Sequence, residues 1–563
     1  MKGMPRSIAA LSLAAVFALL ACEADQPRAD KMLINGNIHT LDPDQPRAEA
    51  IAIRGNRILA VGSQEGLAAH LGEDTRLVDL GGATVVPGLA DAHVHLAGIG
   101  ERELGLDLAG IDSLEGFLDA VADAVDERED GEWVVGRGWL ETHWDPPSFP
   151  GRKDLDAIAP DNPVWLTRAD GHGSVANSMA LEMAGVGEET AIPEGGDILR
   201  DEDGQPSGML LGRAQWLVAQ HVPEPEAPLA ERLRLGAERS QAMGWTQVHI
   251  ASGDFEEVET LRELFADGSL RLRINQALRG PGEDARRLVS EGGVTGLYEG
   301  RYSLRGVKLA ADGALGSGGA ALLEDYEDRD GRGYLQFQRE EVIELLEDAL
   351  RNGVQVWTHA IGDRGNRFAL DLYEEVFDKV GPEERGIAEP RWRIEHAQVL
   401  HEDDLPRFAE LGVIPSMQPS HAIGDLHYAH RRVGVERLRH AYAWRDLIDS
   451  GVPIAGGSDA PVEMGDPRIE FYAAVSRRDL QGHQDEHWYP EQAVSREEAL
   501  KMFTLWPAKA AFEEDVRGTI EAEKYADFTV FADDIMQIET AEILETTVTM
   551  TVIGGEIVYR AED

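Results

Sequence analysis

Short apolar runs in the middle of the chain alternate with stretches in which apolar positions follow helical spacing. Such an alternation of strand and helix favours parallel βα units. The runs with the length of a strand are Ala83 to His95, Trp245 to Ser252, Leu272 to Leu278, Val307 to Ala311, Val354 to His359, Trp392 to His396, Val413 to Gln418 and Pro453 to Asp459. Eight strands close a (β/α)8 barrel, so the pattern predicts an α/β protein with a TIM barrel over residues 83–514.

The distance between the first and second runs is too large for a single crossover connection. We therefore expect residues 97–244 to form an insertion, with strands of its own at Trp133 to Gly138 and Pro163 to Arg168. Alternating apolar and polar positions also occur near both ends of the chain, in residues 31–82 and 515–563. A period of two predicts strands, so the two ends are expected to build one composite β-sandwich domain.

The N-terminus has the layout of a secretory signal. Lys2 and Arg6 precede an apolar run from Ile8 to Leu20, and this run is too short to span a membrane. We expect a signal peptide over residues 1–21, followed by a polar tether over residues 22–30.

The sole cysteine, Cys22, directly follows the predicted cleavage position. There it resembles a bacterial lipobox, in which the cysteine becomes the lipid-bearing first residue; the alternative is an ordinary signal peptide that ends near a cysteine. The lipobox predicts a protein that is secreted across the inner membrane and lipid-anchored to a bacterial envelope membrane, facing the periplasm or the exterior. With no second cysteine in the sequence, an internal disulfide in the monomer and a thiolate ligand in the mature core are excluded.

The formal net charge of the chain is −50 at pH 7. Such an acidic surface disfavours nucleic acids and anionic membrane surfaces as partners. We expect a small-molecule substrate, and membrane contact only through the lipid anchor. The charge itself is also what a solubility or high-salt adaptation would produce, so it does not point to a particular chemistry.

His93 and His95 are the first candidates for metal ligands. Alternate residues of a strand point to the same face, so the two imidazoles could share one ion. Imidazole ligands favour zinc among the common divalent metals. A pair of this kind also arises by chance, on surfaces and in hydrogen-bonded cores, so further ligands are needed.

Other predicted barrel strands also end in residues that can bind a metal, namely His359, His396 and Asp459. The carboxyl ends of barrel strands converge, and barrel active sites are built there. One strand carries Lys308, although lysine is scarce in this chain. Singly, a core histidine, a helix-capping aspartate or a snorkelling lysine would explain each residue. Together they predict a metal site, because a buried ammonium is costly without a purpose.

The chain resembles the amidohydrolase superfamily and, within it, amidohydrolase family 3, the YtcJ-like branch. The resemblance covers essentially the whole mature chain, and several motifs with defined spacing carry it. These motifs are Pro87 to His95, Arg168 to His172, Val307 to Gly313, His359 to Asp363, Arg393 to His396, Gly456 to Ala460 and Gly518 to Asp527.

The resemblance implies a centre of two divalent metal ions, usually zinc. His93 and His95 would hold one ion, and His359 and His396 the other. Lys308 would bridge the ions as a carbamate formed with CO2. This fits elementary chemistry, because a carboxylated lysine is an anionic ligand with two oxygens, whereas a protonated lysine cannot bind a cation.

A metal-activated hydroxide would then be the nucleophile. We expect Asp459 to be both a metal ligand and the general acid and base that carries the proton from the nucleophile to the leaving nitrogen. His172 would reach in from the insertion to bind the substrate, unless it only stabilises a loop. Weaker candidates for lining the substrate pocket are Trp139, Trp144, Asp312 and His421.

These expectations combine into a metal-dependent hydrolase that cleaves a non-peptide C–N bond, in an amide or a cyclic amide. Two alternatives stay open at the level of the sequence. The same nucleophile could attack an ester, a lactone or a phosphoester. From a different functional class, a non-catalytic surface binding protein could retain the barrel as a scaffold.

Overall fold

The computed structural model describes residues 27–169, 171, 173–193, 196–223 and 227–561. The predicted signal peptide, Cys22 and His172 lie outside the described residues. Within the ranges above, no helix combines the length and the apolar composition that crossing a membrane requires.

The centre of the described chain is a parallel sheet that curls into a barrel. Each strand pairs with the next one in chain order, all in parallel. In the order of the chain, barrel strands 1 to 8 are Leu89–Val94, Trp245–Gly253, Arg273–Arg279, Tyr302–Ala310, Gln355–Ala360, Arg393–His396, Ile414–Met417 and Ala455–Gly456. The predicted α/β class and the TIM barrel are confirmed.

The first predicted run, Ala83 to His95, is in fact two strands. Thr84–Pro87 pairs with Phe528–Phe531 in a sheet of the chain ends, and only Leu89–Val94 belongs to the barrel. Gly88 lies between them in a crowded position, where a Cβ atom would come within 2.4 Å of the Thr246 Oγ1 atom. The structure built from the chain ends therefore reaches Pro87, beyond the predicted boundary at residue 83. An unbroken apolar run gives no sign of this change of sheet.

The barrel closes between strand 1 and the segment that follows strand 8. The Asp459 N–H donates to the His93 carbonyl at 2.8 Å, and the His95 N–H donates to the Ala460 carbonyl at 2.8 Å. Deeper in the barrel, Asp91 accepts hydrogen bonds from both the backbone N–H and the hydroxyl of Ser458. The closure thus fixes His93 and Asp459 side by side.

Helices surround the barrel on the outside. They are Leu96–Leu104, Leu229–Met243, Phe255–Ala266, Glu283–Glu291, Arg339–Arg351, Asp363–Lys379, Leu405–Leu411, Pro419–Asp425, Ala429–Val433, Trp444–Asp449, Pro467–Ser476, Arg496–Met502 and Leu505–Ala510, with the short strand Val294–Gly296 and the single turn Leu297–Gly300. Local sequence sets their ends: the Asp254 side chain accepts from the Glu257 N–H at 2.9 Å and caps the helix Phe255–Ala266. Gly244, at φ 107°, ends the helix Leu229–Met243.

The chain ends form two sheets in the part of the chain that the structure describes. The first, in spatial order, contains Arg57–Gly62, Ala50–Arg54, Lys31–Ile34 and Arg76–Asp79. The second contains Glu556–Arg560, Val548–Ile553, Phe528–Phe531, Thr84–Pro87, Asn37–His39 and Arg47–Ala48. Strands from both ends of the chain pair in the second sheet, as the alternating pattern predicts. Buried aliphatic and aromatic side chains, among them Leu33, Val85 and Phe528, fill the core between these strands.

The predicted insertion has a sheet of its own. In spatial order its described strands are Gly196–Arg200, Pro206–Gly212, Gly173–Ala176, Val164–Arg168, Val134–Trp139 and Leu106–Asp107. Its helices are Leu114–Asp126, Arg152–Ile158, Ser178–Met183 and Trp216–Ala219. Short 3-10 helices across the whole chain are Ala68–His70, Glu141–His143, Arg213–Gln215, Pro382–Glu384, Glu436–His440, Glu486–Trp488, Pro490–Gln492 and Ala541–Leu544.

Two helices connect the insertion to the barrel, Leu96–Leu104 on the way out and Leu229–Met243 on the way back, and they pack tightly against each other. Glycine makes this close approach possible. A Cβ atom at Gly100 would lie 1.9 Å from the Arg232 carbonyl oxygen, and one at Gly236 would lie 2.2 Å from the Leu96 carbonyl oxygen. Any larger residue at either position would push the two helices apart.

Candidate metal centre

The carboxyl ends of the barrel strands bring together His93, His396 and Asp459, with one possible ligand atom of each within 4.8 Å of the others. His93 lies at the end of barrel strand 1 and His396 at the end of strand 6, while Asp459 follows strand 8. All three side chains are buried. Residues far apart in sequence thus meet because parallel strands end at one face of the barrel.

The other two predicted histidines surround this cluster. The His95 Nε2 atom lies 3.3 Å from Asp459 Oδ1, close to the 3.5 Å that separates His93 Nε2 from the same oxygen. The ring of His359 lies 4.5 Å from that of His396, measured between centroids. His95 is the most accessible of the four histidines, with 39% of its side chain exposed.

Backbone strain marks two members of the cluster. His396 has a φ of 73° and Asp459 a φ of 60°, in the left-handed region that only glycine adopts easily. Such conformations cost about 1 to 3 kcal/mol each and persist where the surrounding structure imposes them, often at functional sites. Here the hydrogen bond from the Asp459 N–H to the His93 carbonyl helps to hold the strained segment.

Lys308 extends from barrel strand 4 into the same region and is buried. Burial lowers the pKa of its amine, and the nearby carboxylates of Glu395 and Asp459 only partly oppose this effect. A lowered pKa favours the neutral amine, which is the form that can react with CO2. The environment of Lys308 is therefore compatible with a carbamate.

Two atoms at the centre fit a bound cation. His93 Nε2 and Asp459 Oδ1 are buried, and neither has a hydrogen-bond partner in the described structure. Leaving such atoms unpaired is costly, and a divalent ion would satisfy both. Imidazole nitrogen with carboxylate oxygen is a donor set that suits zinc.

The buried ion pair of Glu395 and Arg393 holds the ring of His93 in place. Glu395 Oε2 is in hydrogen-bonding contact with His93 Nδ1. Arg393 donates to both oxygens of Glu395, at 2.8 Å and 2.9 Å, and also to the Ala92 carbonyl and the Ser416 hydroxyl. Because Arg393 and His93 are both close, the pKa of Glu395 lies well below its usual range despite the burial that acts to raise it.

Electrostatics keep Asp459 ionised. Burial acts to raise the pKa of its carboxyl group, but the neighbouring imidazoles of His93, His95 and His396 outweigh it and hold the pKa well below the usual value. His396 is fixed in turn by the Gln418 side chain, with 2.9 Å between Nδ1 and Oε1. Asp459 is thus a carboxylate that can accept a proton.

A cavity of about 100 Å³ opens onto the cluster, and His359, His396 and Asp459 lie in its wall. The insertion contributes Arg168, which forms a bidentate ion pair with Glu141 at 2.7 Å and 3.2 Å. The insertion also contributes Leu140 and Ala169. The barrel loops contribute the remaining wall, which includes His421, Asp425, Tyr428 and Glu463, with apolar side chains such as Leu315, Ile361 and Val462.

His421 lies where the sequence predicts, in the wall of this cavity, with its Nε2 atom 3.8 Å from Asp459 Oδ2. Trp139, another residue predicted to line the pocket, does not lie in the wall of this cavity. Its ring is buried in the core of the insertion against Phe117 and Trp144, and its N–H donates to the Leu166 carbonyl at 3.1 Å. Trp144 belongs to the same core. The sequence around a tryptophan does not indicate whether its ring packs in the core of the insertion or lines the cavity.

Asp312, which is also predicted to bind substrate, does not lie in the wall of this cavity either. Its side chain is fully buried, and its oxygens accept hydrogen bonds from three backbone N–H groups, those of Ala321, Ile361 and Gly362, at 2.8 to 3.0 Å. It therefore ties the loop after barrel strand 4 to the turn after strand 5. The Oδ1 atom of Asp312 also lies 3.5 Å from His359 Nε2.

Four residues around the cluster have no predicted role, namely Arg393, Glu395, Tyr428 and Glu463. The sequence does contain a signal for Arg393 and Glu395, because they alternate along one strand and a charged pair inside an apolar run needs an internal partner. Tyr428 and Glu463 lie in loops, where no periodicity predicts which way a side chain points.

Comparison with known proteins adds independent findings. The model of the amidohydrolase family matches residues 76–559. The chain is 35% identical over 550 residues to the protein LONG AFTER FAR-RED 3 of Arabidopsis thaliana, covering 94% of the chain and 92% of that protein. It is 29% identical over 544 residues to the N-substituted formamide deformylase of Arthrobacter pascens, covering 94% and 98%. The crystal structure of an uncharacterized metal-dependent hydrolase from Pyrococcus horikoshii superposes with a TM-score of 0.71 at 27% identity, covering 91% of the chain and 99% of that structure.

Proposed function

The chain belongs to the amidohydrolase family and is a metal-dependent hydrolase, and from this premise we propose that it cleaves a non-peptide C–N bond, in an amide or a cyclic amide. The name of one relative, N-substituted formamide deformylase, supports an amide as the substrate class. The coverage of that relative is nearly complete, so the comparison involves the whole catalytic unit.

The observation that carries the proposal is the pair of buried, unpartnered atoms at the centre, His93 Nε2 and Asp459 Oδ1. A protein that used the barrel only as a scaffold would gain nothing from keeping such costly atoms next to a cavity. The Asp459 oxygen of this pair belongs to a carboxylate whose pKa is lowered by the neighbouring imidazoles, so it is ionised and can act as a metal ligand or accept a proton.

We assign His93 and His95 to one divalent ion and His359 and His396 to a second, with zinc as the expected metal. Lys308, as a carbamate, would supply an oxygen to each. The chemistry that such ions provide when bound is activation of water for attack and polarisation of the scissile carbonyl. Glu395 fixes the ring of His93, and Gln418 fixes that of His396, so both imidazoles are oriented in advance.

Asp459 has the role of general base and then general acid. Its carboxylate accepts a proton from the attacking water and donates it to the leaving nitrogen, which departs as a neutral amine. An amide needs this proton, because an amide anion is a poor leaving group, whereas an alkoxide from an ester needs it less. His421 and Arg168 lie in the cavity wall, where they would contact the substrate.

A substrate panel with metal analysis tests the proposal. Purified protein is loaded with zinc, and hydrolysis is measured for matched amides, cyclic amides, esters, lactones and phosphotriesters. The expected result is stoichiometric metal together with amide or cyclic amide turnover. Turnover of esters, lactones or phosphotriesters far above that of the amides would overturn the proposed bond type while leaving the hydrolase itself in place.

We also propose that the protein is exported and anchored to a bacterial envelope membrane through a lipid on Cys22, with no other membrane contact. The sequence around Cys22 supports this. In a Cys22→Ser variant, the protein should move from the membrane fraction to the soluble fraction of cells. Continued partitioning into membranes would contradict the anchor.

A further inference from the structure

A second, outer cavity adjoins the cavity of the metal centre. Its volume is about 290 Å³, against about 100 Å³ for the inner one, and Tyr428 lies in the wall of both. The ion pair between Arg168 and Glu141 also connects them, because Arg168 lines the inner cavity and Glu141 the outer. A substrate that reaches the centre and is larger than the inner cavity would extend into this outer cavity.

Three of the four charged residues that line the outer cavity form ion pairs. Arg432 pairs with Asp328 at 2.7 Å, and Glu141 pairs with Arg168 at 2.7 Å. Among the described residues of the lining, Arg431 is the cation that has no carboxylate partner. The guanidinium of Arg431 is therefore available to pair with an anionic group of a ligand, although the chain as a whole is strongly acidic.

A second donor in the lining, Thr142, comes from the insertion. The Thr142 hydroxyl oxygen is buried and has no hydrogen-bond partner among the residues that the structure describes. A hydroxyl and a guanidinium both donate hydrogen bonds, and a carboxylate accepts from both. The lining of this one cavity thus contains two donors, one of them charged, that an anionic group could use.

The lining of the inner cavity is different, because Asp425, Asp459 and Glu463 lie in its wall and the charge of Arg168 is offset by Glu141. The divalent ions of the proposed function would add positive charge there. The preference of the outer cavity for an anion therefore rests on Arg431 and Thr142, and not on repulsion by the inner cavity. The acidity of the remaining surface does not reverse this, because salt screens charges beyond about 8 Å at physiological ionic strength.

We propose that the outer cavity binds a carboxylate of the substrate, through Arg431 and Thr142, while the scissile bond lies in the inner cavity. The substrate class is then an amide that carries an anionic group remote from the bond that is cleaved. This assignment rests on the proposed function, because it names the substrate class of the same site.

The test uses the full-length, metal-loaded protein and N-acetyl ω-amino acids of increasing chain length. Each is paired with the N-alkyl acetamide that has a methyl group in place of the carboxylate. Affinity is measured as KM where a compound is hydrolysed and as Kd by calorimetry where it is not. The variants are Arg431→Gln, Arg431→Lys and Thr142→Val. Arg54→Gln, in a hairpin of the terminal sheets, is the control for the loss of one exposed arginine charge.

In the wild type, one chain length should bind about three- to tenfold more tightly than its neutral counterpart, a size typical of a partly exposed charge pair. Arg431→Gln should abolish this preference, Arg431→Lys should keep part of it, and Thr142→Val should reduce it. The preference should also weaken as NaCl is raised, and Arg54→Gln should leave the ratio intact.

Equal affinity for both members of every pair would overturn the inference, as would a preference that survives in Arg431→Gln. Turnover of amides without a preference would leave the proposed function in place and remove only the anion site. A preference that depends on Arg431, found without any amide turnover, would support the anion site and overturn the proposed bond type.

Discussion

Glu395 accepts a hydrogen bond at the Nδ1 side of His93, which leaves the Nε2 side of the same ring facing Asp459. The carboxylate is held in turn by two hydrogen bonds from Arg393. A chain of three buried side chains thus decides which nitrogen of His93 is available to a metal. Support of this kind orients a ligand and increases its basicity.

Glu395→Gln should weaken metal binding by about 10- to 100-fold, the usual effect of removing such a partner. The variant keeps the shape of the side chain but leaves the charge of Arg393 unbalanced, so the melting temperature should also fall. Competition with a chelator measures the metal affinity, and calorimetry measures the melting temperature. Wild-type metal affinity in this variant would show that Glu395 does not orient His93.

Asp459→Asn should keep most of the metal and lose turnover by about 10²- to 10⁴-fold, the range associated with general acid and base catalysis. The histidines remain as ligands, while the amide can no longer accept the proton. Metal content and kcat, measured on the same preparation, separate binding from catalysis. Turnover at the wild-type rate would remove Asp459 as the proton carrier.

Lys308→Ala should lose metal and activity together, because the bridging ligand disappears. Small carboxylates such as acetate or propionate should restore part of both by occupying the space of the missing carbamate. Lys308→Met serves as a control that fills this space with an apolar chain and should not respond to carboxylates. Unchanged metal content in Lys308→Ala would refute the bridge.

Glu257, on the helix Phe255–Ala266, gives a prediction about pH and stability. Burial raises the pKa of its carboxyl group to about 7, and nearby Asp254 adds to the effect. Between about pH 4.5 and pH 7 the native state therefore holds a proton that the unfolded state has lost, so stability falls as the pH rises through this window.

Glu257→Gln should remove that dependence while keeping an oxygen that accepts from Gln276. The difference in melting temperature between the variant and the wild type should increase from pH 4.5 to pH 7 and stay constant above pH 7. In free energy of unfolding, the variant should gain at most about 3 kcal/mol over the wild type. Glu256→Gln, on the exposed face of the same helix, is the matched loss of a carboxyl group. If the melting temperatures of the wild type and Glu257→Gln change in parallel between pH 4.5 and pH 7, the prediction is contradicted.

The sequence predicts the barrel well, because each strand is a run of buried residues followed by a turn and a helix. It also locates the histidines at strand ends, since parallel strands leave only one face where such residues can meet. It fails at Gly88, where one apolar run serves two sheets. Burial is the same on both sides of that glycine, so hydrophobicity gives no signal.

Residue type alone does not predict which side chains line the pocket. Trp139 and Asp312 are of types that binding sites use, but both form internal contacts instead. The indole of Trp139 donates a hydrogen bond within the insertion, and the carboxylate of Asp312 accepts from three backbone N–H groups. Such contacts depend on which loops lie adjacent in space. His421 faces the centre only because of the fold around Pro419–Asp425, which the sequence does not determine.

Because the helices Leu96–Leu104 and Leu229–Met243 pack closely through glycine, residues 105–228 leave and rejoin the barrel at one place and could be exchanged as a unit. The corresponding segment of a related hydrolase could therefore replace this one between the same two helices without disturbing the ends of the barrel strands. Diversification of this scaffold can then proceed by replacing one wall of the pocket as a unit. The proposed metal ligands all lie outside residues 105–228 and would be inherited intact.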